Sequence, residues 1–229
     1  MSLPSKTAIP VSMTQSFRFA RRSIGVLSLV CAAFLLFAPQ AANGQLWLQT
    51  SRVVTPVEQG PVRVLLDSLV NVMERRSLQV RRSADTDSSM TVAELRSTLI
   101  NEEGIGIGSA NHAFIDYRFT IDNGSNFRQE VASIRFVFRP GPNQTDVPVL
   151  YLDARSGWVD KFLHNKGTSL YSNEAALIPF HRHLGFAQIA RQKKTQIVEI
   201  GGQTVRKGFD QKKEALIRKV ERLTYESYV

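Results

Sequence analysis

Hydrophobic side chains change their spacing twice along this chain, and each change marks a change of element. From Val62 onward, Leu65, Leu66, Leu69, Val72 and Met73 recur at the three- and four-residue spacing that lines one face of a helix. A polar stretch over residues 83–89 separates this helix from a second one. There Thr91 and Glu94 form a capping-box pattern, in which each side chain satisfies an orphan backbone donor at the other's position. Leu95, Leu99 and Ile100 carry the apolar side of that helix until Gly104 ends it.

The period then shortens to two. Ala113, Ile115, Tyr117, Phe119 and Ile121 alternate with Phe114, Asp116, Arg118 and Thr120, the pattern of a half-buried strand. Asp122-Asn123-Gly124-Ser125 is a reversal signal. Ala132, Ile134, Phe136 and Phe138 line a second strand, Pro140-Gly141-Pro142 closes it, and residues 147–152 form a third. Three sequential strands with short links predict an antiparallel meander.

A short helix is expected over residues 158–164. Residues 167–185 show no clear period, and Pro179 and Gly185 argue against one long helix. Residues 186–190 and 195–200 read as a second hairpin, with Gly201-Gly202 turning the chain toward Arg206. A last helix from Asp210 carries the stripe Leu216, Ile217, Val220 and Leu223. Residues 45–60 read as an extended lead-in. The predicted class is α+β: an antiparallel meander sheet packed with N-terminal helices and a C-terminal amphipathic helix, in one domain over residues 61–229.

Residues 1–44 have the form of a cleaved secretory signal. Arg21-Arg22 precede an apolar run over residues 24–37, Pro39 breaks it, and Ala42-Asn43-Gly44 puts small side chains before a cut at Gln45. A start at Met13 would leave a more typical charged approach. The run is shorter than the roughly 20 residues of a permanent span; left uncleaved, it would tether the protein to the membrane. The residues after Arg21-Arg22 lack a twin-arginine sequel, and Val30 before Cys31 does not suit lipidation. The expected location is therefore outside the cytoplasm, periplasmic or secreted. Cys31 is the only cysteine of the chain, so the mature domain has no disulfide, thiolate metal site or cysteine nucleophile.

Export also changes the charge. The formal net charge is +9, but Lys6, Arg18, Arg21 and Arg22 leave with the signal. Residues 45–190 hold 15 basic and 15 acidic side chains, so the excess lies in residues 191–229, with 10 against 5. Arg191, Lys193, Lys194, Arg206, Lys207, Lys212 and Lys213 are the candidate contacts for an anionic membrane or polysaccharide surface. Glu214 and Arg218, four apart, point instead to ordinary helix salt pairs. Stacking aromatics and nucleic-acid motifs are missing, so no nucleic-acid partner is expected.

Candidate chemistry is sparse. His181 and His183 would share a face on a strand and could bridge a metal; on a helix they would diverge. Asp160, His164 and Glu174 are further candidates, without a convincing third ligand, so neither a metal nor a cofactor is expected. Asp160 and His164, four apart, suit helix support or half of an acid–base site. Hydrolase and metalloprotease motifs do not occur in the mature chain. Gly104, Gly106 and Gly108 precede a strand and not a helix, so they read as a connector and not a phosphate loop. Asn123 and Asn143 begin glycosylation-type triplets or simply serve turns.

The expected function is that of an exported, non-catalytic binding or envelope accessory protein, with a protein partner at the strand edges near 130–152 or the basic last helix. One alternative is a hydrolase or metal-dependent enzyme using Asp160, His164, His181 and His183. The other is an anionic lipid or polysaccharide binder acting through the C-terminal segment. Oligomeric state is open.

Overall fold

In a computed structural model that describes residues 47–58, 60–86, 88–121, 126–141, 144–169, 177–206 and 210–227, the strands β1 (Trp47–Pro56), β2 (His112–Ile121), β3 (Phe127–Phe138) and β4 (Val147–Asp153) pair in succession. Two later strands, β7 (Gln196–Ile200) and β8 (Gln203–Thr204), join the other side of β1 and complete an antiparallel sheet of order β4-β3-β2-β1-β7-β8. A separate two-stranded piece pairs β5 (Gly167–Thr168) with β6 (Ile178–Pro179). Among the described residues six α-helices accompany these sheets, and the architecture is α+β. The signal-like residues 1–44, the 122–125 reversal, Asn143, Glu174 and Lys207 lie outside the described residues.

The extended stretch read as a lead-in is a central strand. β1 pairs with β2 from Trp47↔Ile121 to Pro56↔His112, and its other edge pairs with β7. Val53 and Thr55 are fully buried, and Val54 nearly so. A β-branched run buried on both faces belongs in the interior of a sheet. The boundary at residue 61 therefore moves back, into a compact unit of Gln45–Val229.

Helices α1 (Pro61–Arg75) and α2 (Val92–Glu103) cross between β1 and β2. Proline opens α1, where its missing N–H costs nothing. Val62, Leu65, Leu66, Leu69 and Met73 form the buried face of α1. The capping box of α2 is complete: Glu94 N–H donates to Thr91 Oγ1 at 3.2 Å, and Thr91 N–H donates to Glu94 Oε2 at 2.7 Å. Gly104 ends α2 with a left-handed φ of 67°. A single tight turn at Ile107–Ser109 then leads into β2, so the glycine-rich stretch is a connector.

The inner face of the sheet buries Ala113, Ile115, Tyr117 and Phe119 of β2 beside Ile134 and Phe136 of β3. The other face carries charge across the strands. Arg52 donates to Asp116 at 2.6 Å and to Glu199 at 2.8 Å, and Ser133 donates to Asp116 at 2.6 Å. The free edge of β4, read as a docking edge, is partly covered by the chain itself. Tyr151 N–H donates to the Arg81 carbonyl at 2.8 Å, and Arg82 donates to the Pro148 carbonyl while its guanidinium is held by Glu102 and Glu103. Covering an edge in this way blunts strand addition.

Residues 186–190 are a helix, not half of a hairpin. The short helices α4 (Phe180–His183) and α5 (Phe186–Ala190) follow α3 (Gly157–Asn165), and Phe186 and Ile189, three apart, are both fully buried. The hairpin is instead β7–β8, turned by Gly201 and Gly202 at φ 58° and 77°, the left-handed pair that a type I′ turn requires. The last helix, α6 (Asp210–Glu226), buries Leu216, Ile217 and Val220 and packs on α5. Among the described residues no helix is long and apolar enough to cross a membrane.

Candidate functional site

The histidines are brought together by one close backbone approach. A Cβ on Gly167 would lie 2.0 Å from the Ile178 carbonyl oxygen, so only glycine lets β5 meet β6. That pairing, with Phe180 N–H donating to the Lys166 carbonyl at 2.9 Å, lays α4 beside α3. Phe162 and Phe180 stack between the two helices with centroids 5.7 Å apart. His164 of α3 and His181 of α4 consequently stack too, at 4.3 Å and 20° between ring planes.

Each ring has a different environment. His164 is exposed, and its Nδ1 lies 3.0 Å from the Asp160 carbonyl and 3.3 Å from the Asp160 carboxylate. Both partners are acceptors, so Nδ1 carries the proton. His181 is half-buried. Desolvation lowers its pKa first and the neighbouring His164 second, while the Leu163 carbonyl pulls the other way. Its Nδ1 is buried without a hydrogen-bond partner among the described residues. Lowered below the ordinary value near 6.5, His181 is neutral at pH 7.

His183 is not part of this cluster. It is buried, and its Nε2 donates to the Thr168 carbonyl at 2.9 Å. On the helical α4 the two histidines diverge, so the bridged-metal arrangement does not form. Among the described residues no group of three His, Cys, Asp or Glu side chains could hold a metal ion. His112, the remaining histidine, sits beside Asn111 at the far end of β2.

Asp160, His164 and His181 share a cleft of about 480 Å³ with Gln129, Glu130 and Arg155. A second cleft of about 410 Å³ adjoins it, lined by Phe127, Arg182, Phe186 and Thr224 among others, and Gln129 and His181 belong to both. Together they form a groove past the start of β3, with donors and acceptors at one end and Phe127 at the other. Gln129, Glu130 and Arg155 escaped the sequence reading. They come from β3 and the turn after β4, and nothing local in the sequence distinguishes them from solvated residues.

The basic C-terminal candidates are largely engaged within the protein. Arg191 makes two hydrogen bonds to Glu221, at 2.7 and 2.9 Å, which raise its pKa further; Glu214 lies 3.6 Å away. This clamps α5 to α6. Lys194 lies 3.9 Å from Glu58, and Lys213 is 3.4 Å from Asp210. Lys212 has an interaction of its own, whereas Lys193 and Arg206 are exposed.

No protein family, curated protein or solved structure matches the chain.

Proposed function

We propose that the protein is exported, that residues 1–44 are removed, and that the remaining domain is a non-catalytic binding protein of the cell envelope. Its ligand lies in the groove through His181. The supporting observation is that two clefts meet there, sharing Gln129 and His181, with Glu130 and Arg155 available as acceptor and donor. Such a wall suits a small polar molecule that both donates and accepts hydrogen bonds and rests an apolar end near Phe127. Export is supported by the charged, apolar and small-residue sequence before Gln45.

Native mass spectrometry of the protein recovered from its host's envelope fraction tests both halves. The expected result is a chain beginning at Gln45 and carrying a non-covalent mass, which His181→Trp removes by filling the groove. Recovery from the cytoplasm with residues 1–44 attached would refute export. A bound mass retained unchanged by His181→Trp would refute the groove.

The Asp160–His164 contact favours a second reading, an acid–base enzyme. In that reading His181, neutral and against His164, is the base, and His183 plays no part. Hydrolysis of simple ester or phosphodiester probes, abolished by His181→Gln, would replace the binding function with this one.

A further inference from the structure

Helix α3 separates the charges around it. Asp160 and His164 face the histidine groove, while Trp158, Lys161 and Phe162 line a different cleft. There they meet Val72 and Arg76 at the end of α1, and Lys166 just beyond α3, around a volume of about 460 Å³. Small-molecule sites generally span about 300–1,000 Å³.

Two features of this cleft point to a ligand. Arg76, Lys161 and Lys166 line it, and no carboxylate does. None of the three has an ion-pair partner among the described residues, whereas Arg82, Arg96, Arg139 and Arg191 each rest on a carboxylate. Residues 45–190 balance their charges as a whole, so three cations facing one hollow are a local excess that raises the potential there until an anion enters. The second feature is the apolar wall: Phe162 is buried, and Trp158 and Val72 are half-buried against the same space.

Helix dipoles explain part of the arrangement. Arg76 caps the C-terminus of α1 and Lys166 that of α3, where a cation is favoured. Lys161 lies in the middle of α3, so this effect does not account for it, and neither does it account for the indole beside it.

We propose that this cleft binds a small amphipathic organic anion from solution. An aromatic ring or short acyl body lies against Trp158, Phe162 and Val72. A carboxylate or phosphate head is held by Arg76, Lys161 and Lys166. The planar guanidinium can grip either head through two parallel hydrogen bonds, and the ammonium groups act as point charges. The indole offers a flat apolar surface to the ring. This site is independent of the histidine groove and stands whether or not that groove is occupied.

Titration of the purified protein with 1-naphthyl phosphate tests the assignment, followed by the indole N–H resonance of Trp158, with Trp47 as the internal reference. Saturable binding that shifts Trp158 is expected. The double charge reversal Lys161→Glu, Lys166→Glu should weaken it about tenfold or more. Both positions are exposed helix-end or helix-surface sites, so the variant keeps the fold, and its unchanged amide spectrum elsewhere checks this. Neutral 1-naphthol should bind at least about tenfold more weakly, and added salt should weaken only the phosphate. Equal affinity for naphthol and naphthyl phosphate would overturn the proposal, as would binding indifferent to the double reversal. Sedimentation with phosphatidylglycerol vesicles, lost in the reversal variant while naphthyl phosphate leaves Trp158 unmoved, would overturn it in favour of a membrane surface.

Discussion

Removing one hydroxyl from the core, by Tyr117→Phe, should leave the fold intact and change its stability in a pH-dependent way. Tyr117 is fully buried, and its hydroxyl donates to the Leu184 carbonyl at 2.8 Å, tying β2 to the end of α4. Its ring meets Phe186 edge-on at 5.3 Å and stacks beside Phe119, contacts that phenylalanine preserves. The loss is then one buried hydrogen bond, with a net worth of about 0.5–1.5 kcal/mol, plus part of the cost of a carbonyl left dry. A destabilisation of about 1–2 kcal/mol is expected at neutral pH. Urea unfolding monitored by circular dichroism measures it, with an unchanged m value showing that the denatured state is unaffected.

The alkaline limb makes the test sharper. Burial raises the pKa of Tyr117 above its ordinary value near 10, so the native side chain stays neutral where the unfolded one ionises. A group whose folded pKa is raised contributes its full stability below the unfolded pKa and loses it as pH rises. Above about pH 10 the wild type should therefore lose about 1.4 kcal/mol per pH unit more than Tyr117→Phe, because only the wild type releases that proton on unfolding. Titrations common to both proteins cancel in the comparison. The two stability curves should converge between about pH 10.5 and 11.5, where the ionisation of the unfolded tyrosine offsets about 1–2 kcal/mol. Parallel curves, or a neutral-pH difference below about 0.5 kcal/mol, would show that the hydroxyl is neither buried nor bonded as described.

Three further predictions concern the backbone and the histidine stack. Ser77, which follows α1, has a left-handed φ of 50°, so Ser77→Gly should raise stability by about 0.5–1 kcal/mol, read as a higher midpoint of thermal unfolding. Gly167→Ala must push β5 away from β6, since its Cβ would lie 2.0 Å from the Ile178 oxygen. It should separate His164 from His181, visible as loss of the cross-peak between their ring protons. Proton NMR titration should find the His181 pKa below 6.5, and His164→Asn should move it upward by removing the neighbouring like charge. The corresponding stability is present above the unfolded His pKa and is lost as pH falls; acid unfolding of His181→Asn should accordingly be less steep near pH 6.

Elements with strong local signals were readable in advance. The two-residue alternation from Ala113 to Phe119 matches the buried face of β2, breaking only at its end where Thr120 is buried and Ile121 half-buried, and the capping box at Thr91 and Glu94 forms with both hydrogen bonds. Both depend on interactions within a few residues. The central place of β1 and the helical state of residues 186–190 escape the local pattern for a common reason. A short apolar stretch such as 186–190 fits a strand or one turn of helix equally well, and only its burial against Tyr117 and Phe119 decides. Val53-Val54 likewise gives no sign of its neighbours, because strand order is a matter of which distant edges meet.

The candidate site follows the same division. The four-residue spacing of Asp160 and His164 made their contact legible, since one helical turn enforces it. That His181 should stack on His164 while His183 turns into the core depended on α4 being helical and on the fit at Gly167, neither visible in the local pattern. Nor could composition reveal that Arg76, at the end of α1, would share a hollow with Lys161 of α3 and with Lys166 just beyond it. Short-range geometry sets the class of the fold, the longer helices, the meander strands β2 to β4 and the acidic–basic spacing along each helix, so these are legible in the chain alone. Which strand lies at the centre, and which cations rest on carboxylates while Arg76, Lys161 and Lys166 do not, follows only from the packing of residues far apart in the chain.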